Sequence, residues 1–203
     1  MGSERIQLIE IALRRARPGT GTAESVLRET GGRYEGAAVD RYLKDMDYVI
    51  VGGLATSLYM QERATLDTDV LIRRENLDLA ESALAAAGCK KEGTLSIGGS
   101  TWRTAGGKTI DLIAVDEPWV DEAIANPVEG LGGRQFIALP YLVAMKLTAG
   151  RVQDLADITR MLGHAGEKQI EEVLHTIRKY RPQDKEDVMS MIELGRLEYD
   201  GLD

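Results

Sequence analysis

The sequence contains very little cysteine and histidine, and these shortages remove several classes of chemistry. One cysteine, Cys89, stands among 203 residues, so no internal disulfide can form, as is usual in the cytoplasm. We expect Cys89 to pack at a helix end rather than to act as a nucleophile. The two histidines, His164 and His175, have no partner at zinc-binding spacing. Neither a structural zinc site nor a Ser-His-Asp catalytic set is indicated.

Basic residues are outnumbered by acidic residues. The chain has 25 lysines and arginines against 33 aspartates and glutamates, which gives a formal charge of −8. Non-specific binding to nucleic acid depends on neutralising phosphates. The acidic composition therefore excludes a protein that coats nucleic acid without sequence specificity. A local basic patch could still bind an RNA. No apolar run approaches membrane-spanning length, and the N-terminus lacks the order of a signal peptide. We expect a cytoplasmic protein that does not bind a membrane.

What the chain does have is enough apolar residues, 43%, to build one sizeable core. Its pattern predicts an α/β fold in three regions: a helical N-terminal extension at 1–46, a core of strands and helices at 47–138 and a helical region at 139–203. Apolar residues at helical spacing between Val39 and Met46 predict a helix that leads into the core. The predicted core strands are 48–51, 67–72, 94–97, 101–104, a strand around 111, and 135–138; the predicted core helices are 54–61, 75–87 and 119–125.

Three carboxylates in this core are the most informative feature of the sequence. Asp67 and Asp69 open the run Asp-Thr-Asp-Val-Leu-Ile, and Asp111 lies in the second apolar run Thr-Ile-Asp-Leu-Ile-Ala-Val. Strand alternation places Asp67 and Asp69 on one face, about 6.5 Å apart along the chain. Ionised carboxylates in apolar strands are costly unless they are paired, solvated or bound to a metal. Hard oxygen ligands of this kind suit Mg²⁺ or Mn²⁺.

A simpler interpretation remains open for these residues. The aspartates could be solvated strand ends, or they could form salt bridges with Arg63, Arg73 or Arg103. A glycine pair, Gly52-Gly53, follows the apolar run Tyr-Val-Ile-Val. It could be an ordinary turn, or, because a helix is predicted next, a backbone cradle for phosphate at the helix N-terminus. The order of the motifs favours the metal and phosphate interpretation.

The ordered set of motifs resembles the nucleotidyltransferase superfamily, which shares a palm-like core with DNA polymerase beta. The family pattern is a glycine turn between a strand and a helix, an Asp-x-Asp pair on the next strand and a third aspartate on a later strand. More narrowly, Arg63-x-Thr-x-Asp67-x-Asp69 and Leu-Val-Ala-Met-Lys146-Leu-Thr-Ala-Gly-Arg151 resemble minimal nucleotidyltransferases related to abortive-infection toxins. This resemblance implies a palm-like mixed sheet flanked by helices, with a C-terminal helical bundle.

The resemblance also implies roles for particular residues. Asp67, Asp69 and Asp111 would hold the metal ions and carry the catalysis. Nucleotide binding would fall to the glycine turn and to a small set of polar and basic side chains: Gly52, Gly53, Thr56, Ser57, Arg63 and Lys146. Thr56 and Ser57 are included because many relatives have serine at the position of Gly53. A hydroxyl from Thr56 or Ser57 would take the place of that serine. The alternative to nucleotide binding for Lys146 is that its side chain extends into solvent.

Three functional hypotheses follow from the residues and the resemblance. The first is a metal-dependent enzyme that moves NMP from an NTP to an acceptor hydroxyl, as a toxin acting on tRNA and paired with an antitoxin protein. The second is the same chemistry on a small molecule such as an antibiotic. The third is a catalytically silent relative that binds nucleotide or a partner, and the presence of all three aspartates argues against it.

Overall fold

The computed structural model describes residues 39–60, 67–130 and 133–200. Within these ranges the fold is a seven-stranded mixed sheet with helices packed on it, followed by a helical C-terminal region. The strands are β1 Tyr48–Ile50, β2 Asp67–Ile72, β3 Lys90–Thr94, β4 Gly99–Arg103, β5 Thr109–Ile113, β6 Val128–Glu129 and β7 Gln135–Phe136. The α-helices are α1 Gly52–Thr56, α2 Leu77–Ala86, α3 Val120–Ala125, α4 Leu139–Ala149, α5 Val152–His164, α6 Glu167–Tyr180 and α7 Lys185–Asp200. The predicted α/β class, a mixed sheet flanked by helices with a helical C-terminal region, is confirmed.

The strand order is β3-β4-β5-β2-β1-β7-β6, and the directions of the strands determine where the carboxylates lie. β2 and β5 are parallel neighbours, as are β1 and β7, whereas the other adjacent pairs are antiparallel. Because β1 runs against β2, the end of β1 lies at the start of β2. The turn after β1 and the aspartates of β2 therefore meet at one edge of the sheet.

The core has two parts, one on each face of the sheet, because residues alternate between faces along a strand. On one face, Val70 and Leu112 pack with residues of α2 and with Val39 and Leu43. On the other face, Leu71 and Ile113 pack with a larger cluster from the helices between residues 119 and 192. Since Asp69 is two residues before Leu71 and Asp111 two before Ile113, both aspartates lie on the face covered by the C-terminal helices.

Three predicted elements differ from the structure. The core helix expected at 54–61 is Gly52–Thr56, and turns follow it over residues 57–60. The helix expected over 39–46 is only a single 3₁₀ turn, Val39–Arg41, followed by turns. Its apolar spacing reflects packing of Val39 and Leu43 into the core. The strand expected at 94–97 is wrong as well: β3 is Lys90–Thr94, an exposed edge strand without apolar alternation, and residues after it form a hairpin turn at Gly98. Residues 1–38 lie outside the described part, so the division into three regions stays a prediction.

In the C-terminal region, α5 and α7 cross in very close contact at two glycines. A Cβ on Gly195 would lie 2.2 Å from the carbonyl oxygen of Thr159 and 2.8 Å from the Cα of Gly163. One turn away, the His164 and Tyr199 rings stack with centroids 3.7 Å apart. No helix in the described ranges has the length and apolar character needed to span a membrane.

This crossing generates a stability prediction. Gly195→Ala should lower the free energy of unfolding by about 2 kcal/mol, because overpacking against backbone outweighs the gain in helix propensity. Denaturant unfolding of the two proteins measures the difference. Gly93→Ala is the control, because a Cβ there meets no atom within 4 Å, and its effect should stay within about 0.5 kcal/mol. Equal losses for the two variants would contradict the close crossing.

Candidate active site

The site is built on the central parallel strands β2 and β5. Their register pairs Asp69 directly with Asp111, and Asp67 with Thr109. Paired residues on adjacent strands have side chains on the same face of the sheet, so two carboxylates stand side by side beneath the C-terminal helices. Sequence alone predicted that Asp67 and Asp69 share a face. The register adds that Asp111 is the immediate neighbour of Asp69.

The third carboxylate, Asp67, lies at the rim of this arrangement. It begins β2 and is exposed, whereas Asp69 and Asp111 are half-buried. Across the sheet, Arg103 pairs with Thr109, and the guanidinium interacts electrostatically with Asp67. The side chain of Arg103 is itself held by Glu92, with Nη2 2.9 Å from the carboxylate. The arginine thus flanks the outer end of the site while its salt bridge goes to Glu92.

The glycine turn after β1 contacts Asp69. The backbone N–H of Val51 donates to the carbonyl oxygen of Asp69 at 2.9 Å, and the N–H of Gly53 donates to the Asp69 carboxylate. Gly52 has a left-handed φ of +62°, and a Cβ on it would lie 1.8 Å from Asp69 Oδ2. Both its conformation and its surroundings therefore require glycine. In the structure this turn cradles a carboxylate, and its predicted contact with phosphate stays a prediction.

Asp69 is electrostatically strained. Burial and the neighbouring charge of Asp111 raise the pKa of the Asp69 carboxyl to about 6. The Gly53 N–H and the charge of Arg151 oppose that rise, and Asp67 adds to it. The folded protein thus disfavours the ionised form of Asp69, and the penalty is present at pH values above about 6. A bound cation would remove it.

Several observations bear on whether this donor set fits a divalent cation. Asp111 Oδ1 is buried and has no hydrogen-bond partner among the described residues. Asp69 and Asp111 present hard oxygen ligands side by side, the type that Mg²⁺ and Mn²⁺ prefer. As placed, however, no three acidic, histidine or cysteine side chains of the described ranges converge into a complete cation site. The two central carboxylates fit such an ion in chemistry, and Asp67 would have to turn inward to join them.

The positions of Thr56 and Ser57, two other predicted nucleotide-binding residues, do not test their predicted role. The Thr56 hydroxyl donates to the Gly52 carbonyl at 2.9 Å and is fully buried. The Ser57 hydroxyl donates to the Leu54 carbonyl at 2.7 Å. Since both donors are used within α1, the structure gives no direct support for a phosphate contact, and that role stays a prediction. Arg63 lies outside the described residues.

Lys146 lies in a buried ion-pair network and does not reach solvent. Its side chain is 7% exposed, and Nζ lies 2.7 Å from Asp157 Oδ2 and 3.2 Å from Asp154 Oδ1. Gln153 donates to the other oxygen of Asp157 at 2.8 Å. The alternative in which Lys146 snorkels to the surface is therefore wrong. The predicted role at the nucleotide remains a prediction.

Arg151 lies in the sequence motif, where its position before Asp154 and Asp157 is at least as typical of a structural ion-pair network as of catalysis. It precedes α5 and grips Asp154 through two hydrogen bonds, Nε to Oδ2 at 2.7 Å and Nη2 to Oδ1 at 3.2 Å. Unlike Lys146, its side chain is 76% exposed. It is also close enough to Asp69 for each charge to affect the pKa of the other group. The i,i+3 spacing of Arg151 and Asp154 was the available signal, but spacing could not show the proximity to Asp69.

Comparisons with known proteins give structural similarities only. No family model and no curated protein matches the chain. A solution structure of the antibiotic-resistance factor ANT(2'')-Ia is 17% identical, covers 100% of this chain and 96% of its own length, and has a TM-score of 0.42. Its complex with adenylyl-2''-tobramycin is 19% identical over 77% of this chain and 90% of that one, with a TM-score of 0.42.

Two further solved structures come from Thermotoga maritima. A candidate nucleotidyltransferase is 16% identical, covers 70% of this chain and 94% of its own, and has a TM-score of 0.44. A CCA-adding enzyme in complex with tRNA is 12% identical, covers 92% of this chain but 54% of its own, and has a TM-score of 0.31. Because identities and TM-scores are low, the functional conclusion depends on the chain's own residues.

Proposed function

We propose that the protein is a metal-dependent nucleotidyltransferase that moves NMP from an NTP to an acceptor hydroxyl. One observation carries the proposal: Asp69 and Asp111 stand side by side on parallel strands. In addition, Asp111 Oδ1 is buried and has no hydrogen-bond partner in the part of the chain that the structure describes. Such a like-charged pair is costly for a fold to keep. Protonation of one carboxyl relieves the repulsion at low pH, and a bound cation relieves it at higher pH. Carboxylate-bound cations of this type are the usual partners of phosphates.

The reaction follows from the substrates. The acceptor hydroxyl oxygen forms a bond to the α-phosphorus of the NTP, the bond from that phosphorus to the β-phosphate oxygen breaks, and pyrophosphate leaves. The hydroxyl proton passes to a nearby carboxylate, for which Asp111 is our candidate. Little covalent work falls to the protein, so positioning and neutralisation of charge account for most of the catalysis.

Asp67, Asp69 and Asp111 would hold Mg²⁺ or Mn²⁺ in this scheme. When bound, such an ion neutralises triphosphate charge and lowers the pKa of the acceptor hydroxyl. The chain's own residues prepare the place: the Gly53 N–H orients Asp69, and the absence of a Cβ at Gly52 leaves room for the carboxylate. The strand register keeps Asp111 within reach of the same ion.

Two classes of molecule are candidates for the acceptor of the NMP group: tRNA and a small hydroxyl compound. The resemblance to abortive-infection toxins supports tRNA, with an antitoxin protein as partner. The formal charge of −8 supports a small hydroxyl compound, because an acidic chain attracts RNA poorly. The two acceptors call for the same chemistry at the aspartates, so they differ only in what lies around the site.

Asp69→Asn should stabilise the protein without metal and abolish its response to metal. The rise in pKa from 3.8 to about 6 corresponds to about 3 kcal/mol. This figure is an upper bound, since the amide loses the charge-assisted hydrogen bond from Gly53. At pH 8, where the penalty is complete, the variant should gain about 1–3 kcal/mol in free energy of unfolding. Chemical denaturation in EDTA measures the gain.

The same variant tests the metal assignment. Mn²⁺ with ATP at a hundred times its Kd should stabilise the parent protein by about 2.7 kcal/mol, and Asp69→Asn should lose most of that gain. Asp116→Asn is the matched control, because Asp116 is an exposed aspartate outside the site. Equal stabilisation of Asp69→Asn and parent by Mn²⁺-ATP would remove the metal assignment.

A second variant separates catalysis from binding. Asp111→Ala should abolish transfer yet retain appreciable NTP binding, because Asp111, on a strand separate from Asp67 and Asp69, would serve the reacting hydroxyl more than the triphosphate. Single-turnover transfer and equilibrium NTP binding are measured on the same preparation. Thr109→Val, on the same strand and face, is the control and should keep both properties. Parental transfer rates in Asp111→Ala would contradict the role.

Salt dependence distinguishes the two acceptors. If tRNA is the acceptor, a few local basic residues must supply the phosphate contacts. Affinity should then fall with salt at a logarithmic slope of about −2 to −4. Transfer to a small hydroxyl compound should be almost independent of salt. Labelled NTP incubated with Mg²⁺, total tRNA and a panel of small hydroxyl compounds, across a salt series, identifies the acceptor class. Label on neither acceptor would contradict both.

A further inference from the structure

The proposed function needs a cation that contacts the triphosphate, and the ion-pair network beside the aspartates contains two candidates. Lys146 and Arg151 share Asp154, whose side chain is 2% exposed. Lys146 lies on the buried side of this carboxylate and Arg151 on its solvent side, as their exposures of 7% and 76% show. The network thus has an inner and an outer cation.

Lys146, the inner cation, already forms ion pairs with buried carboxylates. Two of the three ammonium donors of Lys146 go to Asp154 and Asp157. Burial and two ionised partners fix the side chain in place, since breaking such a pair would leave an uncompensated buried charge. Direct contact with a nucleotide would require that rupture.

Arg151, the outer cation, is held by Asp154 and still has N–H groups that can donate to a phosphate. Nε and Nη2 of Arg151 donate to Asp154, which fixes the plane of the guanidinium. Of its five N–H groups, the remaining three donate to no other described residue. Asp69 lies within electrostatic reach of the same side chain. A planar guanidinium fixed along one edge and open along the other suits bidentate contact with phosphate.

We propose, on the basis of the proposed function, that Arg151 is the cation that binds the NTP phosphates and that Lys146 and Asp154 position it. The inner ion pair with Lys146 holds the Asp154 carboxylate, Asp154 holds one edge of the guanidinium, and the other edge faces the substrate. Lys146 therefore acts through Asp154 rather than on the nucleotide, and Arg151 is the residue in contact with substrate.

The test uses inorganic triphosphate with Mn²⁺ as one probe and Mn²⁺ alone as the other, with binding measured by calorimetry. Arg151→Gln should weaken triphosphate binding about tenfold to a hundredfold, the range of one or two charge-assisted hydrogen bonds. Binding of Mn²⁺ alone should not weaken, since a cation beside Asp69 has been removed. Loss of Mn²⁺ binding would mean that Arg151 supports the aspartates instead, and would overturn the proposal.

Arg181 offers a control with the same pairing spacing. It forms an i,i+3 pair with Asp184, Nε to Oδ2 at 2.5 Å, and its Nη1 also donates to Thr148. Arg181→Gln should leave triphosphate affinity unchanged. An equal loss in the two variants would contradict a specific phosphate contact. If the parent protein binds no triphosphate, the proposed function fails; if the parent and Arg151→Gln bind it equally, only the inference about Arg151 fails.

The positioning role has its own readout. Asp154→Asn, which keeps the side chain's shape, should weaken triphosphate binding about threefold to tenfold, less than the loss of a whole charge-assisted hydrogen bond. In the Arg151→Gln background the same change should have no further effect, because the residue that it positions is gone. Thermal denaturation of each variant verifies folding. Additive losses in the double variant would overturn the positioning role.

Discussion

The repulsion between Asp69 and Asp111 is the constraint around which the site is organised. The parallel register of β2 and β5 pairs Asp69 with Asp111, so the two carboxylates lie side by side. The C-terminal helices cover the face on which they lie. Burial then prevents water from screening the two charges, so the pKa of Asp69 rises to about 6. The apolar residues buried on both faces of the sheet supply the stability that offsets this cost.

The neighbouring elements respond to the same constraint. The turn after β1 turns its Gly53 N–H toward Asp69, and this approach is possible only because Gly52 has no side chain. The loop between α4 and α5 brings Arg151 near the same carboxylate. Both contacts lower the cost of ionising Asp69 without removing it. Partial compensation of this kind leaves a site that still gains from binding a cation.

Much of this arrangement could be predicted from the sequence, but not all of it. Strand alternation was enough to place Asp67 and Asp69 on one face, and β2 has the predicted bounds, 67–72. The direct pairing of Asp69 with Asp111 could not be predicted, because it depends on which strands are neighbours and in what register. The edge strand β3 was misplaced since its exposed residues carry no apolar alternation. The proximity of Arg151 to Asp69 could not be predicted either, because it arises between segments that are distant in the sequence.

Comparison of the two charged clusters separates structure from function. In the network of α4 and α5, two cations, Lys146 and Arg151, match two carboxylates, Asp154 and Asp157, and the partners lie within 3.2 Å of one another. The charges of this cluster are balanced, and its open part is the exposed edge of the Arg151 guanidinium. The pair formed by Asp69 and Asp111 is incomplete, since Asp111 Oδ1 is buried with no partner among the described residues. The balanced cluster shares its outermost residue, Arg151, with the unbalanced one. A cation on the aspartates and a phosphate on the arginine would complete both at once, which is what a nucleoside triphosphate with its metal ion supplies.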